Sequence, residues 1–503
     1  MVRKNRVPGR VTAVRLVILG LAAAGLVACS GESSAPSGDG GAGGAEADGS
    51  GGEGNGATGD GGTGESSGSG GTGGRDVAPP STCDDIRASL PTRDGVVIEV
   101  SPAGDGRVTV DGSETTLRSV VQSASSGDVI ELQPGTYPIA EADAGDYSGL
   151  YFTEPDVTLR GATGDASDVV IDSAYRDHGG ETAAITVDAR GVVLADFTVR
   201  RSIFHLVHLW ANADATRIFN VHLIDGGQQF LKASPDEGTV DDVLVACSRF
   251  VMTDEGRDNV WGYGDPQGDT TCYTGGIDTH DARNWEVRYN HFEGIYCDTD
   301  PGRPAHGRKA DERGDQTYAG GLAEHAIHMW NSEQGSGHMI DANTIVNCAR
   351  GIGIGLVDPV YGTDVTNNTV FSEFAGSREH DVGIIVERGV DTNVSHNTVY
   401  FSHSDAYPNG IEIRFDSTSN VTVENNLANV AIAERDGATT TQAGNVTDAE
   451  AQLFVDAESG DLHLADCDAA PTTSRSPLVE QDLDGETRTD PTQVGADDCG
   501  QTP

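Results

Sequence analysis

Lysine is nearly absent from this chain. Lys4, Lys232 and Lys309 are its only three, so the 32 basic residues are almost all arginine, set against 79 Asp and Glu and a formal charge of −47. That balance offers no basic footprint for neutralising phosphates, which excludes nucleic acid as a partner. Aromatic residues reach only 6% and methionine only 4 positions, poor stock for an all-helical core. The apolar run at the amino end, Leu16–Ala28, has 13 residues, short of the roughly 20 that a spanning helix needs. No CxxC or Cys/His spacing of the zinc-finger kind occurs. Glycine is the contrary case: there are 67, and the excess is local.

Arg3, Lys4, Arg10 and Arg15 precede the apolar run, which ends in Leu-Val-Ala-Cys at 26–29. This resembles the bacterial lipoprotein export signal, and the resemblance implies that residues 1–28 are removed and Cys29 is lipidated. The expected place is the cell envelope, exported and held to a lipid membrane through Cys29; Ser30 points to the outer membrane if the cell has one. Residues 29–78 read as the lipidated cysteine and a Gly/Ser-rich tether, since positions 31–74 hold 20 glycines and no apolar periodicity. The folded body is expected over 79–500 as a monomer.

Short β-rich segments without helix-length spacers fill the start of that body: Val-Ile-Glu-Leu at 129–132, Val-Thr-Leu-Arg-Gly at 157–161 and Val-Val-Ile-Asp at 169–172. This disfavours a βαβ fold. A repeat then sets in. Asp196, Asn220, Ser248, Asn290, Asn343, Asn368, Asn397 and Asn426 mark similar corners at spacings of 24, 28, 42, 53, 25, 29 and 29 residues. An apolar residue stands three before most marks (Val193, Val245, Val287, Ile340, Val365, Val394, Val423) and another two after (Phe250, Phe292, Ile345, Val370, Val399). Asparagine tolerates left-handed dihedrals and can hydrogen-bond to its counterpart one coil away. The pattern predicts an all-β fold, a right-handed parallel β-helix of roughly ten to twelve coils. The two long spacings predict insertion loops near 251–275 and 298–322.

Besides Cys29 there are seven cysteines. Cys272 with Cys297 and Cys467 with Cys499 are the candidate disulfides, and Cys247 or Cys348 is expected as a buried thiol.

A second register precedes each corner and lays out two outward columns. One is His208, Asp278, His328, Gly353, Ile385 and Glu412; the other is Trp210, His280, Trp330, Gly355, Glu387 and Arg414. The segment Gln228–Ser234, carrying Lys232, belongs between the first two coils, with its alignment open by one residue. Exposed tryptophans suit the face of a sugar ring, so a groove for polysaccharide is expected. Trp210, Trp330, His328, Arg283 and Arg414 are its candidate contacts, and Asp278 and Glu412 are candidate ligands for calcium. Zinc through His208 and His328 is the minor alternative. Arg288, Arg303, Arg308, Lys309 and Arg313 add positive charge near the presumed cleft.

The Gly-Asp-Val-Ile-Glu-Leu-Gln-Pro-Gly-Thr-Tyr stretch at 127–137 and the Asn-Asn-Thr-Val and His-Asn-Thr-Val corners resemble the pectate-lyase-like superfamily. The Gln228–Ser234 segment followed by Gly275–Gly294 is similar to the chondroitinase B and alginate lyase group. That resemblance implies polysaccharide cleavage by β-elimination, with Lys232 as base and His280 as the partner histidine. The group's arginine position reads Thr279 here, and its acidic calcium triplet has no clean counterpart. Two alternatives stay open. One is a β-helical hydrolase using carboxylates among Asp278, Glu293, Glu387 and Glu412. The other is a non-catalytic glycan-binding or envelope interaction module.

Overall fold

In the computed structural model the described residues are 82–499, apart from 140–146, 177–182, 236–237, 261–269, 298–317, 321, 333, 336, 357 and 376–379. The export signal, Cys29, the tether, Arg303, Arg308, Lys309 and Arg313 therefore lie outside the described residues, as do parts of both expected loops. No helix among the described residues is long and apolar enough to cross a membrane.

The body is a parallel β-helix. One face is a ten-stranded parallel sheet running from Leu150–Phe152 to Ala431–Arg435. The other face is a longer array whose parallel rungs run from Val97–Gly104 through Val193–Ser202 and Glu286–Arg288 to Thr441–Ala443. Many coils of this array place two short strands around a corner, such as Met339–Asp341 and Thr344–Val346. Between the faces lies one continuous core. Val245, Val287, Ile340, Val365, Val394 and Val423 are fully buried in it, as their repeat positions predict. Phe250 and Phe292 stack on adjacent coils with ring centroids 4.5 Å apart.

The coil can close tightly only where side chains are missing. A Cβ at Gly351 would run into the carbonyl oxygen of Gly383, the matching glycine one coil on. This explains why several copies open with Gly-Ile.

The asparagine corners form a ladder. Asn290, Asn343, Asn368, Asn397, Asn426 and Asn445 stack so that each Oδ1 accepts from the backbone N–H of the preceding coil, at 2.9–3.1 Å. Each Nδ2 donates to a carbonyl on the preceding coil, as Asn368 does to Ile340 at 2.8 Å. The left-handed residues are one position earlier than expected: Tyr289, Ala342, Asn367, His396 and Asn425 have φ between 53° and 58°. Asp196 and Asn220 occupy that earlier column, because Val221 and not Asn220 pairs with the Ser248 position. Replacing Asn368 by Ala would orphan the buried N–H of Asn343 and the carbonyl of Ile340. At roughly 1–3 kcal/mol per orphaned group, a loss of about 3–5 kcal/mol in chemical denaturation is expected.

Disulfides tie Cys272 to Cys297 and Cys467 to Cys499, as expected, with Cα separations of 6.1 and 5.7 Å. A third, Cys83–Cys247, spans 164 residues and corrects the reading of Cys247 as a thiol; Cys348 is the buried free one. It fastens the helix Cys83–Ser89 to the solenoid, where Ile86 packs on Phe219 and Ala246. The carboxyl-terminal segment adds no coil. Its antiparallel pairs, Phe454–Asp456 with Asp461–Leu464 and Thr472–Thr473 with Thr492–Gln493, pack Phe454, Leu462 and Val494 on Phe371, Tyr400 and Leu427.

Candidate functional site

The site grows from alternation on the ten-stranded sheet. Val207, Leu209, Leu231, Ala233, Ile277, Ile327 and Met329 point into the core, so the residues between them point outward. Register places His208, Lys232, Asp278, His328 and Gly353 side by side on successive rungs. Lys232 thus fills the rung whose alignment the sequence left open. Although they face outward, His208, Lys232, Asp278 and His328 are only 5%, 6%, 4% and 1% exposed.

Lys232 Nζ donates to Asp278 Oδ2 and lies 3.0 Å from His280 Nε2. His280 Nε2 is 3.6 Å from Asp278 Oδ2, and His328 Nδ1 is 3.5 Å from the other carboxylate oxygen. Burial alone would push the Asp278 carboxyl up. The charge of Lys232, followed by the hydrogen bond to His280 and the field of His328, instead holds it well below the usual carboxylate range. Burial drives the surrounding imidazoles down, His205 and His328 to about 4 and His208 to about 2.

The second column forms the rim. Trp210 and Trp330 are half-buried. The Trp210 ring lies against His208 at 4.5 Å, and the Trp330 ring against His280 at 4.8 Å. The His280 side chain is 33% exposed against 8% for Lys232 and 5% for Asp278, so it is the member of the trio that meets solvent.

Several expected contacts are engaged elsewhere. Arg283 is paired with Asp241 at 2.6 Å, and Arg414 binds Glu387 at 3.0 Å and Asp436 at 2.7 Å. Arg288 is buried on the other array against Asp341. His328 is too deeply buried to touch a substrate. Thr279 points into the core, fully buried, and donates to Met329 Sδ, so no surface group stands at that position.

The calcium pair also fails to assemble. Asp278 and Glu412 are four rungs apart, which is about 19 Å at the spacing of hydrogen-bonded strands. Glu412 is held by Arg435 at 2.8 Å and by Tyr407 at 2.8 Å. Calcium needs six to eight oxygen ligands, and this donor set does not fit it.

Sequence reasoning missed Glu324 and His325. The outward columns take only His328 and Trp330 from this copy, which begins at Ala326, so the two residues before it fell outside them. One donor atom from each of Glu324, His325 and His328 lies within 4.8 Å of the other two, a grouping able to hold a metal ion.

Neither a protein-family model nor a curated protein matches the chain. Among solved structures, pectate lyase Pel9A is 14% identical with a TM-score of 0.45, covering 82% of this chain and 97% of its own. Alginate lyase from Paenibacillus sp. str. FPU-7 is 14% identical with a TM-score of 0.34, covering 65% and 99%. The PL6 family polysaccharide lyase Pedsa3628 from Pseudopedobacter saltans is 12% identical with a TM-score of 0.33, covering 73% and 95%. At such identities no residue role passes from them to this chain.

Proposed function

We propose that the body is an enzyme that cleaves an acidic polysaccharide by β-elimination at the Lys232–Asp278–His280 cluster. The observation that carries this reading is the 3.0 Å contact between Lys232 Nζ and His280 Nε2, with His280 opening to solvent beside Trp330. Elimination removes the proton α to a uronate carboxylate and delivers one to the leaving oxygen, creating a C=C bond. His280, which meets the substrate, takes the α proton and returns it to the leaving oxygen as the C–O bond breaks, while Lys232 stays protonated behind it. The ammonium that Asp278 fixes there places positive charge near the developing enolate. Trp210 and Trp330 offer ring faces for sugars on either side.

The test is a screen of alginate, pectate, chondroitin and heparin-like polymers, read by ultraviolet absorbance of the unsaturated product and by reducing ends. Absorbance that rises with the wild type and falls at least about 10²-fold in His280→Gln supports elimination, given what a positioned acid or base contributes. New reducing ends without absorbance would move the assignment to a hydrolase. Binding without either product would make it a glycan-binding module, a reading favoured by the engagement of Arg283 and Arg414 in internal ion pairs.

We also propose that the body is held at the cell envelope by lipid on Cys29, which the basic residues and apolar run before it support. A Cys29→Ser protein should shift from the membrane to the soluble fraction; unchanged membrane retention would refute the anchor.

A further inference from the structure

We infer that Glu324, His325 and His328 form a binding site for a zinc-type divalent cation, adjoining the Lys232–Asp278–His280 cluster. Residues three apart on an extended strand separate by about 10 Å, so local spacing does not bring His325 to His328. They meet because the next rung carries Gly353. A Cβ there would press into the His325 ring; without it the imidazole lies over that glycine, its centroid 4.5 Å from that of His328. The donor atoms of Glu324, His325 and His328 then fall within 4.8 Å of one another. Ligands on zinc sit about 3.4 Å apart, so a bound ion would draw the three donors closer together than they stand here.

Two further observations point to a ligand. His325 Nδ1 and His328 Nε2 are buried and have no hydrogen-bond partner among the described residues, on side chains of residues 6% and 1% exposed. Buried polar atoms are ordinarily paired, and a cation bound by one or both supplies what is missing. In addition, His328 turns Nδ1 toward Asp278 Oδ1 at 3.5 Å. That oxygen has no hydrogen-bond partner among the described residues, so the contact is electrostatic; it favours a proton on Nδ1 and with it a free lone pair on Nε2 for a metal. The donor set decides the ion: two neutral imidazoles and one carboxylate, with a fourth position open, suit zinc and not calcium. Asp278 would then link the two clusters, paired with Lys232 through one oxygen and facing His328 with the other.

This inference does not rest on the elimination chemistry, and it is tested without it. The full folded chain, stripped with chelator, is titrated with zinc chloride by calorimetry, and bound zinc is counted after gel filtration. The expected result is one zinc per chain, a rise in melting temperature on loading, and at least a tenfold loss of affinity in both Glu324→Gln and His325→Gln. Gly353→Ala, which keeps all three ligands but displaces the His325 ring, should also weaken binding. Glu324→Gln is nearly isosteric and half-buried, so it is the variant that keeps the test independent of folding. No retained zinc, undiminished affinity in Glu324→Gln, or loss instead in His463→Ala, where Asp461 and Asp484 flank a more exposed imidazole, would each overturn the site.

Discussion

Acidification should unfold this protein above the pH at which ordinary exposed carboxylates titrate. Burial holds His205, His328, His338 and His380 at about 4, His396 at about 3 and His208 at about 2. All six lie below the ordinary value near 6.5, so the unfolded chain binds more protons than the folded one in this range. Their contribution is complete above about pH 6.5 and is lost as pH falls toward 4. Each is worth roughly 3 kcal/mol at pH 4, at about 1.4 kcal/mol per pH unit. Asp482, raised to about 6 by burial, runs the other way. So do Asp225, Glu324, Glu387 and Asp497, whose carboxyls burial also pushes up, and together the five offset part of the histidines' share. Three or four such histidines already match a typical stability of about 5–15 kcal/mol. Circular dichroism across pH 7 to 4 should therefore show cooperative loss of structure near pH 5. His380→Gln, which removes a ring packed 4.5 Å from Phe401, should move that midpoint down if the packing loss is separately measured at pH 8. A midpoint below pH 3 would contradict the account.

The second large effect concerns the buried ion pair. Asp278→Asn leaves the Lys232 ammonium without its carboxylate beneath the surface. Breaking a buried pair from one side costs about 3–5 kcal/mol, whereas replacing both members by apolar residues is often neutral or stabilising. Denaturant unfolding should thus show Asp278→Asn and Lys232→Ala strongly destabilised and the double variant Lys232→Met with Asp278→Leu close to wild type. That double variant also isolates chemistry from folding, since it should remain folded and yield no ultraviolet-absorbing product. A double variant as unstable as the singles would mean that the pair is needed to hold His280 and His328 in place.

The core columns, the parallel stacking and the asparagine ladder were legible in the sequence because a solenoid repeats its environment. An apolar side chain every coil and a corner asparagine are each required by the coil before and after them, and they therefore recur. The same repetition ordered His208, Asp278 and His328 along one outward line. It also aligned Trp210, His280 and Trp330 along another. Its errors were small shifts where a copy departs from the pattern, as at Asp196 and Asn220, and at Ala326, where the reading began too late to include Glu324 and His325.

Pairing across the outer surface was decided only by the tertiary structure. An outward side chain has neighbours along the stack and also sideways, on connecting segments the repeat does not constrain. Arg283 therefore goes to Asp241 and Arg414 to Glu387 and Asp436, while Glu412 is taken by Arg435 and Tyr407. Cys83 reaches Cys247 across 164 residues for the same reason: the partners meet through packing, and no spacing announces it. Burial was equally hidden. The alternation of the strand shows that Lys232, Asp278 and His328 point away from the core. Only the folded chain shows that they are enclosed there, which makes Lys232 and Asp278 a coupled pair and leaves His280 as their opening to solvent.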